Sequence, residues 1–431
     1  MNLNTFYILN FGCKLNIYES ESIGFLLTNN GYVQINNCDV ADIVIINTCT
    51  VTAKADAKSR NTIRKVKRNN PDCCLIVCGC MVDTEKDILH NLHEIDVLIE
   101  NKNKDKIIQV IHDYNEGLFK QKPFLFQSDD DGTFNFNTFK MNNHSRAFIK
   151  IQDGCNNFCT YCKIPFARGR SRSRDVNDIL SDVMNIEKNG YQEIVITGIN
   201  ISDYNFNGIN LSGLLTIILE KTSHFRIRLS SLEPQNIDTG FYEVIKNNRI
   251  CPHFHIALQH GSDSILSLMN RKYTADYFSE IIDKIRKSKP SSFISTDLIL
   301  GFPGESEEDF EKTKQLLHSI RFSFVHIFSY SPRKGTTAYD MTPKVPERIR
   351  DQRVYEIGEI NKIYHREYIH EFINKELNIL IDATHIDKYQ KGKSENYLDI
   401  LVESDSLIRG HIYNVTIKEC DEDNKIIAKL N

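Results

Sequence analysis

The chain has 431 residues, 41% hydrophobic and 26% charged, with a formal net charge of −4. That length exceeds one ordinary domain and predicts two or three, each with its own core. The slightly acidic balance excludes a general polyanion-binding fold, so any contact with nucleic acid must come from local basic patches. No apolar run approaches the roughly 20 residues of a bilayer-spanning helix. The opening MNLNTFYILNFGCK lacks the pattern of a secretory signal, so a cytoplasmic protein with no membrane partner is expected. Twelve cysteines in such a chain point to metal or redox chemistry rather than to a disulfide framework.

In chain order, FYILNF, DIVIINT and CLIVCG are short apolar runs separated by amphipathic stretches such as YESESIGFLLTNNG and AKSRNTIRKVKRNN. This alternation predicts an α/β domain with a parallel sheet over residues 1–115. The next stretch, 116–145, contains the polar, aperiodic QSDDDGTFNFNTFKMNN and reads as a linker. Six more strand-like runs follow: AFIKIQ, EIVITGI, FRIRLSS, HFHIALQ, FISTDLILG and FSFVHIFSY. Alternating with helical patterns, they predict a partial, TIM-like (βα)6 barrel over residues 146–370, with its chemistry at the carboxyl ends of the strands. A long charged helical run opens at Pro346. Residues 371–431 alternate apolar and polar positions in ELNILIDA, NYLDILVE and GHIYNVTIKE, and predict a small all-β module.

Cys155, Cys159 and Cys162 form C-x3-C-x2-C just after the first barrel strand. Thiolates are soft ligands that suit zinc or iron–sulfur centres. Three on one short loop can grip three irons of a [4Fe–4S] cube and leave the fourth iron open to a cofactor. Zinc cysteines come mostly as C-x2-C pairs, and no second pair follows downstream.

A second set sits elsewhere. Cys13 follows YILNFG, Cys49 follows DIVIINT and Cys80 follows LIVCG, each just past the carboxyl end of an expected parallel strand. Such ends face one crevice in an open α/β sheet, so the three can converge on another centre; ordinary buried cysteine is the plainer alternative. Cys78 competes with Cys80, but period-two counting keeps Cys78 inside the strand, and Gly79 lets the chain turn and present Cys80. Cys38, Cys73, Cys74, Cys251 and Cys420 are read as structural.

These cysteine sets, with Tyr161 before the last cysteine, resemble the methylthiotransferases among radical S-adenosylmethionine enzymes. GCKLNIYESE, INTCTVTAKADAKSR, GCNNFCTYCKIPFARGRSRSR, ALQHGSDSILSLMNRKYT and DLILGFPGESEEDF carry the resemblance over nearly the whole chain. It implies an N-terminal domain with an auxiliary cluster (1–115), a radical S-adenosylmethionine domain (146–370) and an RNA-gripping TRAM module (371–431). It also implies two [4Fe–4S] clusters. One, on Cys155, Cys159 and Cys162, would cleave S-adenosylmethionine to methionine and a 5′-deoxyadenosyl radical. The other, on Cys13, Cys49 and Cys80, would bear the sulfur to be transferred.

GCKLN with YESE, and NTCTVTAKAD, look like the branch that places a methylthio group on C2 of N6-threonylcarbamoyladenosine beside the tRNA anticodon. Neighbouring branches act on isopentenyladenosine or on a ribosomal-protein aspartate. An aromatic C–H offers little purchase to acids and bases, whereas a carbon radical can bring about its replacement. Implied partners are the tRNA anticodon loop and an electron donor such as flavodoxin or ferredoxin. A non-catalytic RNA-binding protein with structural zinc is the alternative of a different class, separable by iron and sulfide content.

Cofactor contacts are expected at strand ends around the barrel mouth: Gly198, Gln259, Asp297 and Gly301, with the backbone of Tyr161 near the adenine. Barrel packing or a glycine turn is the plainer role for each. His260 departs from the serine usual in ALQ-x-GSD, which weakens a cofactor contact there. GFPGE lacks the Gly-Lys-Ser/Thr ending of a phosphate loop. Arg168, Arg170, Arg172 and Arg174 alternate directly after the cysteine loop and predict contacts to tRNA phosphates or a cofactor carboxylate. A solvated basic loop is the bland alternative. Lys58, Arg60, Arg64, Lys65, Lys67 and Arg68 read as an ordinary solvated helix face.

Overall fold

The computed structural model describes residues 3–119, 121–136, 144–386, 388–404 and 406–431. The chain forms two compact units. One comprises Met1–Lys140, Gln152–Arg174 and Ser331–Thr336; the other comprises Met141–Ile151, Asp175–Tyr330 and Thr337–Asn431.

The first unit is built on a parallel sheet in the spatial order Val33–Gln34, Thr5–Asn10, Ile43–Thr48, Cys74–Gly79, Val97–Ile99 and Phe124–Phe126. Ile43–Thr48 and Cys74–Gly79 are buried at every position, as unbroken apolar strands must be when both faces of a sheet are covered. Helix Ala53–Asn69 starts at Thr52, whose side chain accepts from the Ala55 amide at 3.2 Å. It turns Ile63 and Val66 to the core and leaves Lys58, Arg64, Lys65 and Arg68 exposed, as the sequence suggested. Arg60, by contrast, is half-buried, and Lys67 turns inward to donate to Asp96 at 2.9 Å and to the Cys73 carbonyl at 2.6 Å. Strand order reverses between Thr5–Asn10 and Ile43–Thr48, the kind of switch point that opens a crevice at the carboxyl ends.

The stretch 116–145 differs from its reading as a linker. Phe124–Phe126 pairs with Val97–Ile99, and the Gly132 amide donates to the Lys102 carbonyl at 2.8 Å. A three-residue edge strand is too short to show a period, which is why it escaped the sequence pattern. Residues 120 and 137–143 of this stretch lie outside the described residues.

The second unit carries the expected six-strand parallel barrel. Ala147–Lys150, Glu193–Thr197 and Arg226–Leu229 form one arc; Ser231–Leu232, His253–Ile256, Phe293–Leu300 and Phe324–Ser329 form the other. The third run serves both arcs, and Ala147–Lys150 and Phe324–Ser329 are the outer edges of the two. Strand residues such as Ile194, Ile196 and Ile227 pack under Ile179 and Val183, Leu214 and Leu215, and Phe278 from the surrounding helices. Helix Glu307–Ile320 begins in a capping box between Ser306 and Asp309. Pro346 caps the long helix Glu347–His370.

The chain ends in a closed five-stranded barrel, Glu376–Ile386, Tyr389–Ser394, Asp399–Glu403, Ile426–Leu430 and Ile412–Cys420. Its core takes in Phe293, Tyr368, Ile369 and Phe372 from the rest of the same unit. Glu193, fully buried, holds the seam. Its carboxylate binds Arg228 Nε at 2.9 Å and Arg226 Nε at 2.6 Å, and Arg146 adds a third contact at 3.3 Å. Arg228 also donates to the Ser394 and Glu395 carbonyls, and Arg226 to those of Asn378 and Lys393. Among the described residues, no helix is long and apolar enough to cross a membrane.

Candidate functional site: two cysteine triads in one unit

Two glycines let the turns that carry the strand-end cysteines approach one another. Cys13 caps helix Lys14–Asn29, Cys49 follows Ile43–Thr48, and Cys80 is the first residue of helix Cys80–Thr84. At Gly12 (φ +105°) a Cβ would lie 2.8 Å from that of Cys49; at Gly79 (φ +98°) it would lie 2.4 Å from the Thr48 carbonyl oxygen. Both conformations and both approaches demand glycine. Asn16 donates to the Phe11 and Thr48 carbonyls at 2.7 and 3.0 Å, pinning the Cys13 turn to the Cys49 strand end.

Burial pushes the Cys49 thiol up to about 11, and the neighbouring charges of Cys80 and Cys13 add to the rise. Burial likewise raises Cys80, against the opposing pull of Arg168 and Lys104. Cys49 therefore lies in the field of both other thiols, and such a site favours thiolates only beside positive charge or a metal. Three soft donors in that setting could hold an iron–sulfur centre. Cys78 is inside its strand, in register with Asn47, as counted from the sequence.

The second triad lies on the segment Gln152–Arg174 of the same unit. Gly154 (φ +74°) passes so close to Arg170 that a Cβ would meet its carbonyl oxygen at 2.0 Å. The Cys155 amide donates to the Gly169 carbonyl at 3.1 Å, closing the loop. The amides of Asn157 and Ile164 point at Cys155 and Cys162 sulfur, at 3.5 and 3.4 Å. Amides aimed at sulfur, and three half-buried thiols on one loop, suit cluster ligation. Tyr161 is half-buried within this loop. Helix Cys80–Thr84 packs on helix Ile164–Arg168, which follows the loop, and Lys163 pairs with Glu85.

The four alternating arginines do not form one row. Arg168 ends helix Ile164–Arg168, whereas Arg172–Ser173 pairs as a strand with Gln152–Asp153, so a period of two does not run through all four. Arg168 is buried, its guanidinium shared among Glu19, Asp153, Asn16 and Cys80, and so it is not a phosphate contact. Arg174 is buried too, Arg172 pairs with Asp131, and Arg170 is exposed with its guanidinium 4.3 Å from the Phe158 ring centre.

The inward ion network was missed from the sequence. Lys104 donates to Glu19 at 2.6 Å and to Asn47 at 3.0 Å, fully buried. Arg333, from the short segment Ser331–Thr336, donates to Thr50 at 2.8 Å and to Asp56. A signal did exist: Glu19 interrupts the i, i+4 apolar stripe Leu15, Ile23 and Leu27, and an acid in such a stripe needs a buried cation.

In the second unit, Gly198, Gln259 and Gly301 follow the strands Glu193–Thr197, His253–Ile256 and Phe293–Leu300. Gln259 holds φ +69°, an uncommon conformation for its type, between backbone bonds to Asp297 and Ile299. Gly301 makes a turn: Glu305 accepts from the Gly301 and Phe302 amides, and Arg350 packs where a Cβ would be. Asp297 is inside its strand, 3.1 Å from His255 Nε2, with His326 beside it. Burial would raise its carboxyl, but the His255 hydrogen bond together with the charges of His255, His326 and Arg271 outweighs that and holds it down. His260 is fully buried, its Nδ1 accepting from the Ser262 amide at 3.0 Å.

Residues 149–317 match the Radical SAM superfamily, and residues 5–100 match the uncharacterized protein family UPF0004. The chain is similar in fold to the radical S-adenosylmethionine methyltransferase TsrM from Kitasatospora setae. That similarity has a TM-score of 0.59 at 13% identity, over 79% of this chain and 74% of that one. It is 36% identical to the threonylcarbamoyladenosine tRNA methylthiotransferase MtaB of Aquifex aeolicus, over 90% of this chain and 94% of that protein. With MtaB of Bacillus subtilis the identity is 34%, over 94% and 92%. With the tRNA-2-methylthio-N(6)-dimethylallyladenosine synthase of Acetivibrio thermocellus it is 32%, over 95% and 88%.

Fold and cysteine loop together define a radical S-adenosylmethionine enzyme, as the sequence implied. Within that class, the chain belongs to the MtaB-type tRNA methylthiotransferase family.

Proposed function

We propose that the protein transfers a methylthio group to C2 of N6-threonylcarbamoyladenosine in the anticodon loop of tRNA, using two [4Fe–4S] centres and S-adenosylmethionine. The observation that carries this is the presence of two cysteine triads in one compact unit, one on a C-x3-C-x2-C loop and one at three neighbouring strand ends. The names of the relatives support the substrate.

When bound, the centres would supply one-electron cleavage of S-adenosylmethionine and the sulfur to be transferred. Cys155, Cys159 and Cys162 would hold the first; Cys13, Cys49 and Cys80 would hold the second. Gln259 and Asp297, with Gly198 and the Tyr161 backbone, are the cofactor contacts we assign. Exposed Arg170, stacked on Phe158, and the closed C-terminal barrel acting as a TRAM module would take the RNA. Electrons would come from a low-potential carrier such as flavodoxin or ferredoxin, in the cytoplasm.

The test is nucleoside mass spectrometry on tRNA incubated with the anaerobically reconstituted protein, S-adenosylmethionine and reductant. Methylthiolated threonylcarbamoyladenosine is expected. Methylthiolation of isopentenyladenosine alone would overturn the substrate, and a colourless zinc protein would overturn the activity.

A further inference from the structure

Arg168 uses every N–H it has, and one of them on a sulfur. Nη1 donates to Glu19 at 2.8 Å and to Asp153 at 3.0 Å; Nη2 donates to Glu19 at 3.0 Å and to Asn16 at 2.8 Å. Nε donates to Cys80 Sγ at 3.3 Å. A guanidinium carries five N–H donors, so none is left over. Its side chain is 0% exposed, as is that of Lys104, which shares Glu19.

Two cations and two carboxylates buried together carry a heavy desolvation cost, and hydrophobic replacements of such networks are often as stable. An ion pair kept only for packing would need Glu19 and Asp153; it would not need an N–H aimed at a thiol. Asp153 immediately precedes Gly154 and Cys155, so one side chain touches a ligand candidate of one triad and the residue that opens the loop of the other.

We propose that Arg168 is a positioning residue for the iron–sulfur centre at Cys13, Cys49 and Cys80, fixing the Cys80 sulfur and drawing electron density from it through the Nε–H···Sγ bond. Hydrogen bonds to ligating sulfur raise a cluster's reduction potential, so this centre is easier to reduce than it would be without Arg168. The inference rests on the two-centre reading above, and iron content tests that reading separately: about eight irons per chain for two cubes, about four if only one exists.

The experiment uses full-length protein with Cys155, Cys159 and Cys162 changed to Ala, which retains the strand-end centre alone, with and without Arg168→Gln. Potentiometric titration followed by electron paramagnetic resonance is expected to place the midpoint at a more negative potential in the Arg168→Gln protein. An unchanged midpoint at full iron occupancy overturns the proposal. A measurement without substitution at Arg168 guards against a variant that fails to fold. The same protein, produced with 15N-arginine and reduced, should show hyperfine coupling to an arginine side-chain nitrogen; its absence overturns the proposal equally.

Discussion

At Gly79 a single added methyl would collide with the backbone of Thr48, at 2.4 and 2.5 Å from its oxygen and nitrogen. Backbone there cannot yield without moving the Cys49 strand end. Gly79→Ala is therefore expected to cost about 3 kcal/mol or more and to lose the iron of the strand-end centre, read by calorimetry and metal analysis. Gly31 is the contrast: its φ is also positive, but nothing lies within 4 Å of the missing Cβ, so Gly31→Ala should cost only the backbone strain, about 1–2 kcal/mol. Among the cysteines, Cys159→Ala should abolish S-adenosylmethionine cleavage. Cys49→Ala should spare cleavage and remove methylthiolation, both measured by product chromatography; equal loss of the two would contradict the division of labour.

The six candidate cluster cysteines were legible because their spacing and their place after apolar runs are local properties. The direction of Arg168 was not, since it is set by where a five-residue helix ends and by partners as distant in sequence as Asn16 and Glu19.

Strand Glu193–Thr197 shows what one buried acid does for an element. Burial alone would raise the Glu193 carboxyl, but Arg228, Arg226 and Arg146 outweigh it and hold the group far below the usual carboxylate range. With the folded value below the unfolded one, the unfolded chain binds the extra proton. The contribution is complete above the ordinary glutamate value and drains away as pH falls below it. Thermal stability should accordingly fall on acidification below about pH 4.5, and Glu193→Gln should flatten part of that slope. At neutral pH the same substitution leaves fully buried Arg228 without its counter-ion and should cost about 3–5 kcal/mol, measured by denaturant unfolding. All six barrel strands were readable from β-branched runs between helical patterns. Phe124–Phe126 was not, because three residues at a sheet edge take their structure from the neighbour they pair with.

The core of the C-terminal barrel reaches into its neighbour, with Phe293, Tyr368 and Phe372 lying among Ile379, Ile400 and Val415. His253 stacks on Tyr397 at 4.0 Å between ring centres. Removing residues 376–431 would uncover those aromatics together with Arg228, so the shortened chain is expected to aggregate on size-exclusion chromatography; a monodisperse monomer would show that the module is dispensable for folding.

The order of domains along the chain was visible in composition and period. The inclusion of Gln152–Arg174 and Ser331–Thr336 in the first unit was not, because it depends on contacts that no local window contains.

That interleaving has a consequence during synthesis. Cys13, Cys49 and Cys80 emerge early, yet Arg333, which anchors Thr50 beside Cys49, is polymerised roughly 250 residues later, about ten seconds to a minute at ordinary translation speeds. Through that interval the nascent thiols stand open to oxygen and stray metal, so a fully anchored Cys49 strand end must wait for the Arg333 segment, and expression in air should penalise this half of the protein first.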